Sequence, residues 1–203
     1  MKKTPIEVFS QWAKDGRDHG MENNHRASVE NMLDYSTNKI TDFTFIDAGC
    51  GNGWVVRKVA SMPQCKVATG IDGSQEMIEK AKKNDPVNDY FCDDLMRWNP
   101  KDKVDLVHSM EVFYYFKEPE QLIKKIYSDW LKNGARLIIG LDFYFENKVS
   151  HSWPEDCGIA TMQLYTEKTW IEFFKKSGFK EVTTWRVGEK EGWAGTLILT
   201  GHK

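Results

Sequence analysis

The most informative stretch of the sequence is "FIDAGCGNGWVVRKV", residues 45–59. An apolar run in this stretch leads to Asp47. Three glycines follow it at alternate positions: Gly49, Gly51 and Gly53. This order predicts a strand, a turn whose backbone lies against a ligand, and a helix whose free N–H groups favour an electron-rich ligand. The spacing is G-x-G-x-G, which differs from the G-x-G-x-x-G pattern of dinucleotide-binding folds.

Short β-rich runs alternate with amphipathic helical patterns along the rest of the chain. The runs predicted to be strands lie at 42–47, 66–71, 87–91, 103–109, 135–141, 180–187 and 194–200. Two further helices are predicted before the first strand, near 5–14 and 25–36. The helix in "EPEQLIKKIYSDWLKNG" is predicted to end at Gly134. The alternation indicates an α/β fold with a mainly parallel sheet and helices on both faces, and the last two runs predict a hairpin with one antiparallel strand.

The overall composition argues against several classes of protein. The chain has 28 Lys and Arg against 30 Asp and Glu, a formal net charge of −2, so we expect no nucleic-acid partner. No apolar run approaches the ~18–20 residues of a membrane span, and the N-terminus lacks the apolar region of a secretion signal. Four cysteines are scattered without a C-x-x-C pair: Cys50, Cys65, Cys92 and Cys157. They argue against a metal site and for reduced thiols in the cytoplasm.

Acidic residues mark the ends of three successive predicted strands. Asp47 ends the first and Asp72 the second. Asp93 and Asp94 follow the third. At a solvent-exposed rim, the Asp72 carboxylate would accept hydrogen bonds from both hydroxyls of a ribose. Asp93 would accept a hydrogen bond from the exocyclic amine of adenine. With Met77 as an apolar wall on the following helix, the ordered acids and the glycines predict a bound nucleoside.

These motifs together resemble the class I S-adenosylmethionine-dependent methyltransferases that act on small molecules. "FIDAGCGNG" resembles the first motif of that superfamily, "GIDGSQEMIEKAK" the second, "FCDDL" the third, and "DLVHSMEVFYYF" the strand and loop that follow. "LKNGARLIIG" resembles the approach to its fifth strand, so the resemblance covers about residues 40–141 and the C-terminal hairpin. It implies a Rossmann-like, seven-stranded sheet with an antiparallel strand in an edge hairpin. It also implies S-adenosyl-L-methionine as cofactor and S-adenosyl-L-homocysteine as product.

The resemblance further implies a set of cofactor contacts. It places the three glycines against the methionine part of the cofactor, with Asp47 near its amino group. It places Asp72 on the ribose and Asp93 at the adenine amine. The N-terminal segment is expected to enclose the methionine end, with Arg17 as a partner for the carboxylate. The full predicted cofactor set is Trp12, Arg17, Asp47, Gly49, Gly51, Gly53, Asp72, Gly73, Met77, Asp93, Asp94, Leu95, Ser109 and Met110.

We predict a single domain with four parts. These are an N-terminal helical lid (1–38), a cofactor-binding core (39–141), a substrate-lid insertion (142–165), and a C-terminal helix and hairpin (166–203). Residues 10–25 and 142–165 combine aromatic rings with carboxamides, acids and histidines, so both are expected to border the acceptor pocket. The predicted catalytic residues are His19, Glu111, Tyr115 and His151. His108, inside a predicted strand, is interpreted as a core histidine with satisfied hydrogen bonds.

The predicted function is methyl transfer from S-adenosylmethionine to a small-molecule acceptor, by in-line displacement and with catalysis mainly by positioning. The loop after the fourth strand reads "HSMEVFYY", without the prolines of the N-P-P-Y and D-P-P-Y motifs of adenine and glutamine methyltransferases. Three alternatives stay open: a methyltransferase acting on protein or RNA, a non-catalytic S-adenosylmethionine-binding protein, and a nicotinamide dehydrogenase. The glycine spacing and the terminal hairpin speak against the last.

Overall fold

The computed structural model describes residues 2–203, without the side chain of His19. The prediction that His19 is catalytic therefore lies outside the described side chains. Among the described residues, no helix is long and apolar enough to cross a membrane.

A seven-stranded sheet forms the centre of the molecule, in the order β3-β2-β1-β4-β5-β7-β6. Its strands are β1 (Phe43–Ala48), β2 (Cys65–Asp72), β3 (Asp89–Cys92), β4 (Val104–Met110), β5 (Leu131–Leu141), β6 (Lys180–Val187) and β7 (Thr196–His202). The first five strands pair in parallel, whereas β7 is antiparallel to both of its neighbours, β5 and β6. The predicted Rossmann-like fold is confirmed, with the antiparallel strand one position inside the edge strand β6.

Helices cover both faces of the sheet. They are α1 (Pro5–Lys14), α2 (Asp18–Thr37), α3 (Trp54–Ala60), α4 (Gln75–Asn84), α5 (Pro119–Lys125), α6 (Trp153–Asp156) and α7 (Glu167–Lys176). Successive strand residues face opposite sides, so Phe45 belongs to one buried cluster and Ile46 to the other. The first cluster includes Met32 of α2 and Val56 of α3, and the second includes Trp170 of α7.

The N-terminal helices are attached to the core by polar contacts. Thr4 and Glu7 form a reciprocal capping box that starts α1. Farther along α1, the Ser10 hydroxyl lies 2.9 Å from the Ser74 hydroxyl, and Lys14 forms an ion pair with Glu76 at 2.8 Å. These contacts hold α1 over the N-terminal end of α4, beside the end of β2.

Two predicted boundaries are wrong. Helix α2 begins at Asp18 rather than near residue 25 because its polar first turns are held by contacts with the core and show no apolar stripe. The predicted helix end at Gly134 fails because Leu131 already pairs with Val104, so β5 has begun. Gly134 instead adopts φ +78° inside that strand, where its N–H donates to the carbonyl of Lys203 at 3.0 Å.

Candidate cofactor and acceptor site

Three adjoining cavities lie at the carboxyl edge of the sheet. The β2 cavity, about 280 Å³, lies beside the ends of β1 and β2 and under α1. The glycine-loop cavity, about 40 Å³, lies between the loop 49–53 and the start of α2. The lid cavity, about 480 Å³, lies between the N-terminal helices and residues 153–162. Met21 and Glu111 line all three, so the cavities meet at these two residues.

Most of the predicted cofactor residues come together around the β2 cavity. Those that line it are Gly49, Gly51, Asp72, Gly73, Met77, Asp93, Asp94, Leu95 and Met110. Asp47 lines the adjoining glycine-loop cavity. Met77 and Leu95 are buried apolar side chains, and they supply apolar surface at this edge. Three successive strand ends thus contribute to one concave surface, as expected for parallel strands.

Asp72 joins the end of β2 to the glycine loop. Its Oδ2 accepts a hydrogen bond from the N–H of Gly51 at 3.0 Å, and its Oδ1 accepts one from the N–H of Ser74 at 2.8 Å. Burial raises the pKa of Asp72, and these two backbone bonds oppose that shift. The expectation of a solvent-exposed carboxylate is therefore only partly met, since the side chain lines the cavity but is half-buried and also holds the loop.

The three glycines have different physical roles. A Cβ at Gly49 would lie 2.2 Å from Cγ2 of Val112, and one at Gly53 would lie 2.5 Å from the ring of Tyr90. A Cβ at Gly51 would meet nothing within 4 Å, because that position faces the open space of the cavities. All three have positive φ. Gly51 alone of the three therefore leaves room that a ligand can fill.

Two predicted cofactor residues have structural partners behind the cavities. Gly53 caps the N-terminus of α3 in the left-handed conformation and packs against Tyr90. The Ser109 hydroxyl donates to the carbonyl of Ala48 at 2.6 Å, which ties β4 to β1. Neither residue lines any of the three cavities among the described parts of the chain.

His108 and Asp47 form a buried pair at the same edge. Nδ1 of His108 lies 2.7 Å from Oδ1 of Asp47, and the two residues are almost fully buried. The interpretation of His108 as a core histidine is confirmed in part. Its Nε2 has no hydrogen-bond partner among the described residues.

Glu111 is the most unusual residue of the site. It adopts φ +62°, a conformation that costs energy for a non-glycine residue and is enriched at functional positions. Its Oε2 accepts a hydrogen bond from the Tyr114 hydroxyl at 2.6 Å, and its Oε1 accepts one from the N–H of Asp142. Burial raises the pKa of Glu111 well above its usual value, and the nearby Asp142 charge adds to that shift.

Tyr115 lies beside Glu111 and lines both the β2 and lid cavities. Its ring contacts Phe9 of α1 edge-on, at a centroid distance of 5.3 Å. Burial raises the pKa of its hydroxyl, and the Glu111 charge raises it further. The two predicted catalytic residues from the loop after β4 are thus placed at the junction of the cavities.

His25 and Asp142 line the lid cavity and belong to the two segments expected to border the acceptor pocket, but neither is among the predicted catalytic or cofactor residues. Nδ1 of His25 lies 3.5 Å from Oδ2 of Asp142. Burial lowers the pKa of His25, with Asp142 opposing the shift, and burial raises the pKa of Asp142, with His25 opposing it. The sequence signal for Asp142 was its place directly after a predicted strand, where the other acids of the rim also lie.

The remaining predicted residues lie elsewhere than expected. Nε2 of His151 lies 2.9 Å from the carbonyl of Phe145, and His151 lines none of the three cavities. Trp12 and Arg17 line the lid cavity rather than the glycine-loop cavity, and the Arg17 guanidinium stacks on Trp12 at 4.4 Å from the ring centroid. The neighbouring Asp18 lines the glycine-loop cavity instead.

The N-terminal segment (1–38) and the insertion after β5 (142–165) meet each other beside the lid cavity. The N–H of Lys3 donates to the carbonyl of Gly158 at 2.8 Å, and the N–H of Ala160 donates to the carbonyl of Lys3 at 2.8 Å. Below them, the N–H of Gln163 donates to the carbonyl of Tyr114 at 2.7 Å. The N-terminal segment and the insertion after β5 are therefore one continuous cover.

Comparison with known proteins agrees with this geometry. A sequence model of the family described as "Methyltransferase domain" matches residues 17–184. The chain belongs to the class I S-adenosylmethionine-dependent methyltransferases. Like other members of this family, it has S-adenosylmethionine as its cofactor.

Curated methyltransferases match part of the chain. The 2-methyl-6-phytyl-1,4-hydroquinone methyltransferase of Arabidopsis thaliana is 27% identical over 157 residues, which are 73% of this chain and 44% of the relative. The trans-aconitate 2-methyltransferase of Agrobacterium fabrum is 30% identical over 134 residues, 66% of this chain and 49% of the relative. The chain thus spans about half the length of the curated relatives it matches.

Solved methyltransferase structures match nearly the whole chain. A methyltransferase from Haloferax volcanii, in complex with the Trm112 methyltransferase activator, has a TM-score of 0.84 and 26% identity and covers 96% of both chains. The N-methyltransferase NodS from Bradyrhizobium japonicum, in complex with S-adenosyl-L-homocysteine, has a TM-score of 0.70 and 18% identity. It covers 88% of this chain and 86% of its own, and at that identity it supports the fold alone.

The described residues fit this cofactor. Gly51 leaves a gap where a side chain would stand, and this gap opens into both the β2 and glycine-loop cavities. Asp72, Met77 and Leu95 provide a carboxylate and two apolar surfaces on the β2 cavity, which suits the ribose and base of an adenosine.

Proposed function

We propose that this methyltransferase transfers the methyl group of S-adenosylmethionine to a small molecule bound in the lid cavity. The observation that carries the proposal is the junction at Met21 and Glu111, which line all three cavities. A cofactor in the β2 and glycine-loop cavities would therefore have its methionine end beside the lid cavity. When bound, it supplies a methyl group that a sulfonium has already activated, so the chain has to align the acceptor and exclude water.

The cavity linings support the cofactor roles that the family resemblance implies. Asp72 would accept the ribose hydroxyls, because each of its oxygens has a lone pair left after its backbone bond. Asp93 would accept a hydrogen bond from the adenine amine, and Met77 and Leu95 would pack against the adenine ring. Asp47 would bind the amino group from the glycine-loop cavity.

The acceptor would be enclosed by the lid. Glu111 and Tyr115 are the candidate groups at the reacting end, and His25 joins them in place of His151, which lies away from the cavity. The lid cavity, about 480 Å³, lies within the roughly 300–1,000 Å³ range of small-molecule sites. Two relatives are named for small acceptors, a hydroquinone and trans-aconitate, which supports the class of acceptor without identifying it.

Calorimetry tests the cofactor half of this proposal. We expect S-adenosylmethionine and S-adenosylhomocysteine to bind with dissociation constants in the micromolar range, roughly −7 to −8 kcal/mol. A folded protein that binds NADH and ignores both sulfur compounds would overturn the assignment.

The acceptor half is tested by incubating the enzyme with methyl-labelled S-adenosylmethionine and cell extract. The reaction products are then separated by ultrafiltration. We expect label from the intact enzyme in a low-molecular-weight product that chromatography separates from the unreacted S-adenosylmethionine. Label transferred only to protein or RNA would overturn the small-molecule assignment in favour of a macromolecular acceptor. Cofactor binding with all of the label left in S-adenosylmethionine would overturn it in favour of a non-catalytic binding protein.

A further inference from the structure

The charged groups on the lid cavity are unequally placed. Arg17 is exposed and stacks on Trp12 at one side of the cavity. Asp142 and Glu111 are held together farther in, since the N–H of Asp142 donates to the Glu111 carboxylate. An acceptor that reaches the junction of the cavities therefore meets two acids.

One buried oxygen of Asp142 lacks a donor. Asp142 is only 5% exposed, and its Oδ1 has no donor at hydrogen-bond distance among the described residues, although the Thr196 hydroxyl interacts with this carboxylate and lowers its pKa. A buried acceptor without a donor is destabilising, because it has lost its hydrogen bonds to water without replacement. The site therefore fits a ligand group with N–H donors, whereas a carboxylate would add only further acceptors.

We propose, building on the function proposed above, that the acceptor is a small amine whose nitrogen binds between Asp142 and Glu111. Aromatic side chains surround the cavity on several sides: Phe9, Trp12, Tyr115, Trp153 and Trp193. The faces of such rings attract cations, which adds to the attraction of the two acids. An anionic acceptor would be repelled by both carboxylates once they are ionised.

His25 supplies the base that an amine requires. It lines both the lid and the glycine-loop cavities, so it lies next to the place where the methyl group would be transferred. Burial lowers its pKa, which leaves the imidazole neutral at pH 7. An ammonium gives one proton to His25, and Asp142, 3.5 Å away, stabilises the imidazolium that forms.

The same acids favour the transfer itself. The nitrogen lone pair forms a bond to the methyl carbon as the carbon–sulfur bond breaks with its electron pair on sulfur. The positive charge therefore moves onto the nitrogen, where Asp142 and Glu111 lie, and fixed acids beside a developing charge lower the barrier.

Binding of a matched series of probes tests the proposal separately from turnover. The probes are 2-phenylethylamine, 2-phenylethanol and phenylacetate, each titrated into the complex of the protein with S-adenosylhomocysteine. We expect the amine to bind about tenfold more tightly than the carboxylate, with the alcohol between them. Asp142→Asn should remove most of this preference, and Glu111→Gln should reduce it.

Asp156, an exposed acid on α6, provides the control, and Asp156→Asn should leave the preference unchanged. Equal or tighter binding of phenylacetate by the wild-type complex would overturn the amine assignment and leave the proposed methyl transfer standing. Retention of the full amine preference in both Asp142→Asn and Glu111→Gln would also overturn it. Failure of S-adenosylhomocysteine to bind the wild-type protein would instead contradict the proposed function.

Discussion

Oδ2 of Asp72 accepts a hydrogen bond from the backbone N–H of Gly51 at 3.0 Å. This bond joins the end of β2 to the loop that follows β1, so the carboxylate proposed to bind the ribose also fixes the loop proposed to bind the methionine part. A change at Asp72 should therefore affect both the cofactor and the fold.

The first prediction concerns Asp72→Ala. We expect the affinity for S-adenosylmethionine to fall by ~2–4 kcal/mol, because two ribose hydroxyls lose a charged acceptor. We also expect the unfolding free energy to fall by ~1–2 kcal/mol, because the N–H groups of Gly51 and Ser74 lose their partners. Calorimetry and thermal unfolding measure the two effects, and Asp102→Ala, at an exposed loop position, should show neither. An unchanged affinity in a folded Asp72→Ala protein would place the ribose elsewhere.

The second prediction separates Gly51 from Gly49. Gly49→Ala should prevent folding, because its Cβ would lie 2.2 Å from a methyl carbon of Val112. Gly51→Ala should fold with a loss of about 1–2 kcal/mol from its positive φ, and should bind S-adenosylmethionine at least about tenfold more weakly, because the new methyl group enters the cavity. Circular dichroism and calorimetry distinguish the two outcomes. Undiminished binding by Gly51→Ala would mean that the cofactor does not lie against this loop.

Features set by local chemistry were predictable from the sequence. The glycine spacing predicted the turn after β1. Ser74 is the N-cap of α4 and accepts a hydrogen bond from the N–H of Met77, a local role that is typical of serine. Lid contacts depend on residues far apart in the chain and were missed. Asp18 starts α2 because Asn52 and Lys80 bind its carboxylate, and His25 becomes a site residue only because Asp142 lies opposite it.

The third prediction concerns the stability of Glu111→Gln. Burial and the Asp142 charge raise the pKa of Glu111 above its usual value of 4.5. A raised folded-state pKa stabilises the fold below the unfolded pKa, and that stability is lost as pH rises towards the folded pKa. Glutamine has no such dependence, so the variant should gain stability relative to the wild type as pH rises to neutrality. Each ~1 kcal/mol gained in unfolding free energy should raise Tm by about 2–4 °C.

Scanning calorimetry at several pH values tests this, with activity measured in parallel. We expect Glu111→Gln to be more heat-stable and less active, as is usual for strained residues at functional sites. Glu172→Gln, at an exposed position on α7, should change neither quantity. A Tm difference that shrinks as pH rises would contradict the direction of the Glu111 shift.

The last prediction concerns the attachment of the lid to the core. The carboxylate of Asp18 is 1% exposed, and it accepts hydrogen bonds from Lys80 of α4 at 2.7 Å and from the side chain of Asn52 at 2.9 Å. The Lys80 side chain is 32% exposed, so removing its cation weakens the compensation of the buried Asp18 charge at a cost below the ~3–5 kcal/mol of a fully buried pair. Lys80→Met should therefore open the start of α2, since opening returns Asp18 to water while the sheet stays folded.

Hydrogen exchange of the protein without cofactor measures this opening. We expect faster exchange over residues 5–25 in Lys80→Met, and also over residues 158–160, because the backbone of Lys3 bonds to that segment. The double variant Asp18→Asn with Lys80→Met removes both charges and should recover part of the protection. Lys82→Met, an exposed change on the same helix, is the matched control and should exchange like the wild type. Unchanged exchange in Lys80→Met would mean that the apolar contacts of α1 close the lid without the ion pair, and faster exchange over 5–25 alone would mean that the two halves of the cover move independently.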